Sequence, residues 1–306
     1  MILGKGIFFQ KDHLETNQGL SFPYLSELVV YCLELVSQLS YHGLEYRFKG
    51  GNSLLVLLEN PQRFSIDVDI ATTVSKDEMT AVVAKIVEDC ELFTRFESRA
   101  PKTKPWLPLI SYKIYFDSHY QKPEEAYVML DAVLEEPPYP GIKKRIRCLD
   151  LYESNMFVEV PTVSGLIGDK LLTIGPSTLG IPLGKGKEAH RLKHIFDIAL
   201  LAGEGYEIQE VLKSVQGCMQ QENEIQKTGF SLSAVLEDTR EFCRQPLEYP
   251  EIPDSEKLDD KTYIYETAVG FEDFRKHLFG REYPWKDFQE DCRTILSLLD
   301  EIEKAT

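Results

Sequence analysis

No stretch of this chain is apolar for the roughly 20 residues that a membrane-spanning helix requires, so no segment reads as a bilayer crossing. The opening residues, MILGKGIFFQKDHLE, lack the long apolar core and cleavage site of a secretory signal. Cysteine is sparse and scattered, at Cys32, Cys90, Cys148, Cys218, Cys243 and Cys292, with no Cys-x-x-Cys pair and no Cys/His cluster. That spacing excludes a zinc ribbon and a disulfide framework, and suits buried thiols in a reducing cytoplasm. Basic charge is also short. The chain has 34 Lys and Arg against 50 Asp and Glu, a net charge of −16. A general nucleic-acid binder would carry a basic field instead. There is no internal repeat, heptad array or low-complexity tract.

What is present fills 306 residues, enough for two domains with substantial cores. Residues 24–42 place Leu25, Leu28, Val29, Cys32, Leu33, Val36 and Leu39 on one helical face. A second amphipathic helix is expected from Lys76 to Cys90. Strands are expected at 46–49, 65–70, 92–98, 109–116 and 126–134, with the Pro-containing loop PKTKPWLP between two of them. From Val163 onward the pattern is helical, at about 162–174, 187–203, 206–223, 230–245, 260–279 and 284–304. This predicts an α+β fold: a mixed β-sheet with packed helices over residues 1–155, then a helical domain over 156–306. Charge divides similarly, since residues 201–306 hold 24 acidic and 12 basic side chains. Two basic clusters stand apart, Lys143-Lys144-Arg145-Ile146-Arg147 and Lys185 to Lys193. Each could face a nucleotide or an RNA backbone, or simply water.

The most informative segment is FKGGNSLLVLLENPQRFSIDVDI, from Phe48 to Ile70. A short strand ends in Gly50-Gly51, whose backbone can approach a phosphate closely and offer N–H groups to it. The segment closes on Ser65-Ile-Asp67-Val-Asp69-Ile70, with strand alternation. Two residues apart on a strand, Asp67 and Asp69 share a face. Adjacent carboxylates repel unless a cation sits between them. Mg2+, an oxygen-seeking partner of triphosphates, suits that position, and Mn2+ is the substitute. Asp131 is a lone acid in the apolar strand YVMLDAVL, and a buried charge needs a partner. It is the candidate third carboxylate, with Asp117 as its competitor.

These residues resemble the nucleotidyltransferase superfamily signature, a Gly-Gly/Ser turn followed by Asp-x-Asp/Glu. More narrowly they resemble the AbiEii toxin family of type IV toxin–antitoxin and abortive-infection systems. Lys49-Gly50-Gly51-Asn52-Ser53-Leu54 corresponds to its Lys-Gly-Gly-Thr-Ala-Leu, and Arg63-Phe64-Ser65-Ile66-Asp67-Val68-Asp69 to its Arg-Phe-Ser-x-Asp-x-Asp. Asn52 replaces a hydroxyl residue, and the spacer is about two residues longer than usual. The resemblance extends to Asp169-Lys170-Leu171-Leu172 and to Arg191-Leu-Lys193-His194-Ile-Phe-Asp197, where His194 stands in place of an Asp.

The resemblance implies an enzyme that moves an NMP from an NTP to an acceptor. Asp67, Asp69 and Asp131 would hold Mg2+ (or Mn2+). Lys49, Gly50, Gly51, Asn52 and Ser53 would cradle phosphates, with Arg63 and Ser65 bracing the loop or touching the nucleotide. Lys170 would be a phosphate-binding cation and Asp197 a catalytic or orienting acid, its alternative as base being a metal-bound carboxylate. The acceptor would be a tRNA 3′ end or a protein hydroxyl, and a cognate antitoxin is implied. Three other readings suit the same residues: a transferase acting on a small, antibiotic-like molecule, a metal-assisted phosphodiesterase, and a non-catalytic nucleotide or partner-binding protein.

Overall fold

The computed structural model describes residues 1–16, 23–99, 107–279 and 282–306. Most of the expected PKTKPWLP loop, up to residue 106, lies outside the described residues. The chain forms two compact units: residues 1–137 with 141–161, and residues 138–140 with 162–306.

The first unit runs α1 (Lys11–Thr16), α2 (Pro23–Tyr41), β1 (Arg47–Lys49), α3 (Leu54–Leu57), β2 (Asp67–Ala71), α4 (Lys76–Asp89), β3 (Phe93–Arg99), β4 (Leu109–Phe116), β5 (Tyr127–Val133), β6 (Gly141–Cys148) and β7 (Tyr152–Pro161). Among the described residues seven strands form one sheet in the order β3-β4-β5-β2-β1-β7-β6. The pairs β2–β5 and β1–β7 are parallel, and the others antiparallel. Alternation explains the burial. Val68, Ile70, Val128, Leu130, Ala132 and Ile114 are fully buried on one face, where α2 and α4 pack. The α4 helix starts on a capping box, in which Ser75 and Glu78 satisfy each other's backbone N–H groups.

Two features differ from expectation. The α2 helix is not a half-wet amphipathic helix: Glu27, Glu34, Ser37 and Gln38 on its polar side are buried as well. The N-terminal segment makes this tolerable. Glu34 accepts from the backbone N–H of Leu3 and Gly4 (2.9 Å each), from Tyr152 OH (2.8 Å) and from Gln38 Nε2 (2.7 Å). Glu27 likewise accepts from the His119 N–H at 2.8 Å and from Ser118 Oγ. The second difference is the β6–β7 hairpin, which sequence periodicity did not predict. Its Lys and Arg residues interrupt the apolar alternation. Its turn is made by Leu149 at φ +47°, not by the glycine or asparagine that usually marks such a turn.

The second unit is helical, as predicted: α5 (Val163–Leu171), α6 (Glu188–Gly203), α7 (Ile208–Gln226), α8 (Leu232–Arg244), α9 (Tyr263–Arg275) and α10 (Trp285–Ala305). Thr162, Ser231 and Thr262 cap α5, α8 and α9 by accepting first-turn N–H groups. The Gly/Pro loop before α6 is pinned from two sides. Asp238 accepts from Ser177 N (2.8 Å) and Thr178 Oγ1 (2.9 Å), and Glu266 accepts from Gly184 N (2.7 Å). Among the described residues no helix is long and apolar enough to cross a membrane.

Candidate active site

The β1 strand is only three residues long, and the chain leaves it through Gly50 at φ +71°, a conformation that side chains with a Cβ rarely adopt. Space explains this glycine as much as backbone does. A Cβ on Gly50 would lie 2.6 Å from Asp69 Cγ and 2.8 Å from Asp69 Cβ. A Cβ on Gly51 would lie 2.6 Å from Arg63 Nη2 and 3.0 Å from Ser65 Oγ. The two glycines thus receive the two halves of the Arg-Phe-Ser-x-Asp-x-Asp segment. Arg63 is nearly buried, and its Nη1 donates to Phe64 O at 3.2 Å. Its guanidinium and Ser65 Oγ lie against Gly51.

Asn52 and Ser53 face inward. Both are fully buried. Ser53 Oγ donates to Gly50 O at 2.8 Å, which closes the turn. Neither amide atom of Asn52 makes a conventional hydrogen bond. The Cys32 thiol interacts with it and itself donates to Ile66 O at 3.2 Å. Burial pushes that thiol well up, and Asp67 and Asp69 add to the effect. This part of the turn offers backbone and shape: the Ser53 side chain closes the turn and the Asn52 side chain is buried.

Sheet register assembles the carboxylates. Asp69 lies opposite Asp131 across the parallel β2–β5 pair and opposite Lys49 across the antiparallel β1–β2 pair. Ser111 of β4 lies opposite Asp131 on its other side. Lys49, Asp69, Asp131 and Ser111 therefore form one row across four strands, with Asp67 on the same face two residues along. That face is opposite the buried Val68 and Ile70. Asp67 is exposed, and Asp69 and Asp131 are half-buried. The Asp131 carboxylate makes no hydrogen bond or ion pair with the described residues, although it is half withdrawn from water. Its competitor Asp117 lies past the end of β4.

The donor set suits a hard divalent cation, because three carboxylates on neighbouring strands supply oxygen ligands. Among the described residues, however, no three His, Cys, Asp or Glu side chains are already gathered closely enough to form a metal clamp.

The remaining expected residues lie in the helical unit. Lys170 Nζ meets Asp197 Oδ2 at 2.8 Å, with the side chains 2% and 0% exposed. This buried pair joins α5 to α6. Arg191 is buried as well, but it turns towards α9, where Nη1 meets Glu266 Oε2 at 2.8 Å and Nη2 donates to Ile181 O. Helical spacing sets Arg191, His194 and Asp197 near one face, but the tertiary partners of Arg191 and Asp197 are different. Sequence reading missed Glu266 entirely, because a lone Glu in a helix carries no signal of its buried partner.

A turn of this kind feeding a strand with paired aspartates belongs to the class of nucleotidyltransferases. The family described as nucleotidyl transferase AbiEii toxin, type IV toxin–antitoxin system, matches residues 35–291, and the chain belongs to it. The protein is therefore a nucleotidyltransferase of a toxin family. Its fold is similar to that of MenT4, a nucleotidyltransferase toxin from Mycobacterium tuberculosis H37Rv. That match has a TM-score of 0.59 and 14% identity, covering 95% of this chain and 90% of that one. An antigenic nucleotidyltransferase-like protein from Paracoccidioides brasiliensis matches at a TM-score of 0.40 and 15% identity, over 72% of this chain and 99% of that one. A search of curated proteins by sequence gives no match.

Proposed function

We propose that this toxin-family enzyme transfers an NMP from an NTP to a hydroxyl of an acceptor, an RNA 3′ end or a protein side chain, with a divalent metal ion. The observation that carries the reading is the row Lys49–Asp69–Asp131 beside the Gly50-Gly51 turn, with the Asp131 carboxylate lacking a partner among the described residues. Asp67, Asp69 and Asp131 would hold Mg2+ or Mn2+, which would supply charge neutralisation on the triphosphate. Gly50 and Gly51 bring backbone N–H groups to the phosphates, and Lys49 adds a fixed positive charge. Arg63, Ser65 and Ser53 keep that turn in place, with Asn52 buried beside them.

In the reaction the acceptor oxygen attacks the α-phosphorus, the bond from that phosphorus to the β-bridging oxygen breaks, and pyrophosphate leaves. The hydroxyl proton passes to a carboxylate of the sheet, for which Asp131 is the choice. Lys170 and Asp197 neutralise each other in the buried pair. Their part in this reading is to hold α5 against α6, and contact with phosphate or proton would require the pair to open. The protein acts in the cytoplasm, opposed by a cognate antitoxin.

The test is transfer from each of four α-labelled NTPs with Mg2+, using total RNA or the protein alone, in wild type and Asp67→Asn/Asp69→Asn. Label on RNA or protein with wild type only is expected. A Mg2+-dependent rise in Tm that the double variant lacks is the second expected readout. Full transfer by the double variant, or transfer undiminished by EDTA, would overturn the reading.

A further inference from the structure

We infer that the outer face of the β6–β7 hairpin is a platform for the single-stranded part of an RNA chain, with Phe157 stacking a base and Lys143 meeting a phosphate. The inference rests on the RNA-acceptor reading above, and it concerns residues to which that reading assigns no role. Phe157 is 50% exposed in the middle of β7, although its neighbours Val158 and Val160 are buried. Lys143 Nζ stands 5.9 Å from the centroid of its ring. Opposite Phe157 in register is Arg145. Its guanidinium is held by Ser154 O (2.9 Å), Asn155 Oδ1 (2.8 Å) and Glu153 (3.1 Å). An exposed ring beside a cation is the device by which proteins grip single strands without reading sequence.

Position connects this patch to the aspartate row. Strand alternation puts Phe157 and Glu159 of β7, Arg47 and Lys49 of β1, and Asp69 of β2 on one face of the sheet. Phe157 lies two strands across and four residues along from Asp69, a separation on the order of 16 Å. At about 3.4 Å per stacked nucleotide, that is on the order of five nucleotides. A cleft of about 430 Å³ borders Phe157, lined also by Arg47, Thr73, Glu136 and Glu159. Of its three glutamates, Glu45, Glu136 and Glu159, two share Arg47 as their counter-charge. Arg47 Nη2 holds Glu159 at 2.6 Å and Glu136 at 3.5 Å. On this face Lys143 makes no ion pair with the described residues. Cations on an edge strand also discourage edge-to-edge pairing of sheets, but that purpose gives no reason for the exposed ring.

The test is fluorescence anisotropy with a labelled 12-nucleotide single-stranded RNA and a duplex of the same sequence. The proteins are wild type, Phe157→Ala, Phe157→Tyr and Lys143→Gln, each with an NTP-binding control. Expected is preference for the single strand, about tenfold weaker binding by Phe157→Ala, rescue by Phe157→Tyr, and a shallower salt dependence in the lysine variant. NTP binding stays unchanged in all of them. Equal binding by wild type and Phe157→Ala, or preference for duplex, would overturn the proposal. The two readings fail separately. Labelled RNA with a silent Phe157→Ala sinks this one alone. Phe157-dependent RNA binding without RNA labelling sinks only the RNA acceptor.

Discussion

Replacing Gly50 by alanine tests whether the turn and the aspartate are one device. The backbone at φ +71° costs an alanine about 1–2 kcal/mol. At about 2–4 °C per kcal/mol for a unit of this size, the conformational term alone lowers Tm by a few degrees. The steric term acts on the site itself. The new Cβ would stand 2.8 Å from Asp69 Cβ, where ordinary contact begins at 3.4 Å. Asp69 Cβ is fixed by a central strand, so a rotamer change cannot relieve the overlap, and β1 and β2 must part by roughly half an ångström. A displacement of about 1 Å at reacting groups costs on the order of 10²-fold in rate. G50A should therefore lose activity far beyond its loss of stability, read as labelled NMP transfer against a thermal melt. G51A is the internal comparison. Its Cβ meets only the ends of the Arg63 and Ser65 side chains, and Gly51 has no positive φ, so it should be the milder of the two. G50A within twofold of wild type in rate, or G51A the worse variant, would refute the reasoning.

Further expectations concern the frame around the site. Lys170→Met or Asp197→Asn leaves a buried charge alone and should cost about 3–5 kcal/mol in a denaturant melt. The double replacement Lys170→Met/Asp197→Leu should recover much of that loss, and additive losses would show the pair is not coupled. Glu34→Gln removes a carboxylate that receives two backbone N–H groups, and about 1–3 kcal/mol of stability should go with it. Faster backbone exchange at Leu3 and Gly4 should accompany the loss, and unchanged exchange would count against the role given to the N-terminal segment. All six cysteines are buried, and burial pushes the Cys148 thiol up to about 12. A thiol reagent at pH 8 should therefore label the native protein slowly and six groups in denaturant; rapid native labelling would contradict the packing.

What the sequence determined by itself was local. Helices from Pro23 and Lys76 onward, and the six after Thr162, follow from 3.6-residue periodicity and from capping residues, which act within a few positions of chain. The pairing of Asp67 with Asp69 follows from strand alternation alone, and the Gly50-Gly51 and Arg-Phe-Ser segments were legible as motifs. Tertiary structure decided what register and packing decide. It put Asp131 and Lys49 beside Asp69, because strand order is not written in any single strand. It turned Asn52 and Arg191 inward, because burial depends on which partner packs against a helix or turn. The β6–β7 hairpin stayed hidden for the same reason: a charged edge strand is held by the ladder to its neighbour, and its own side chains carry no apolar alternation to announce it.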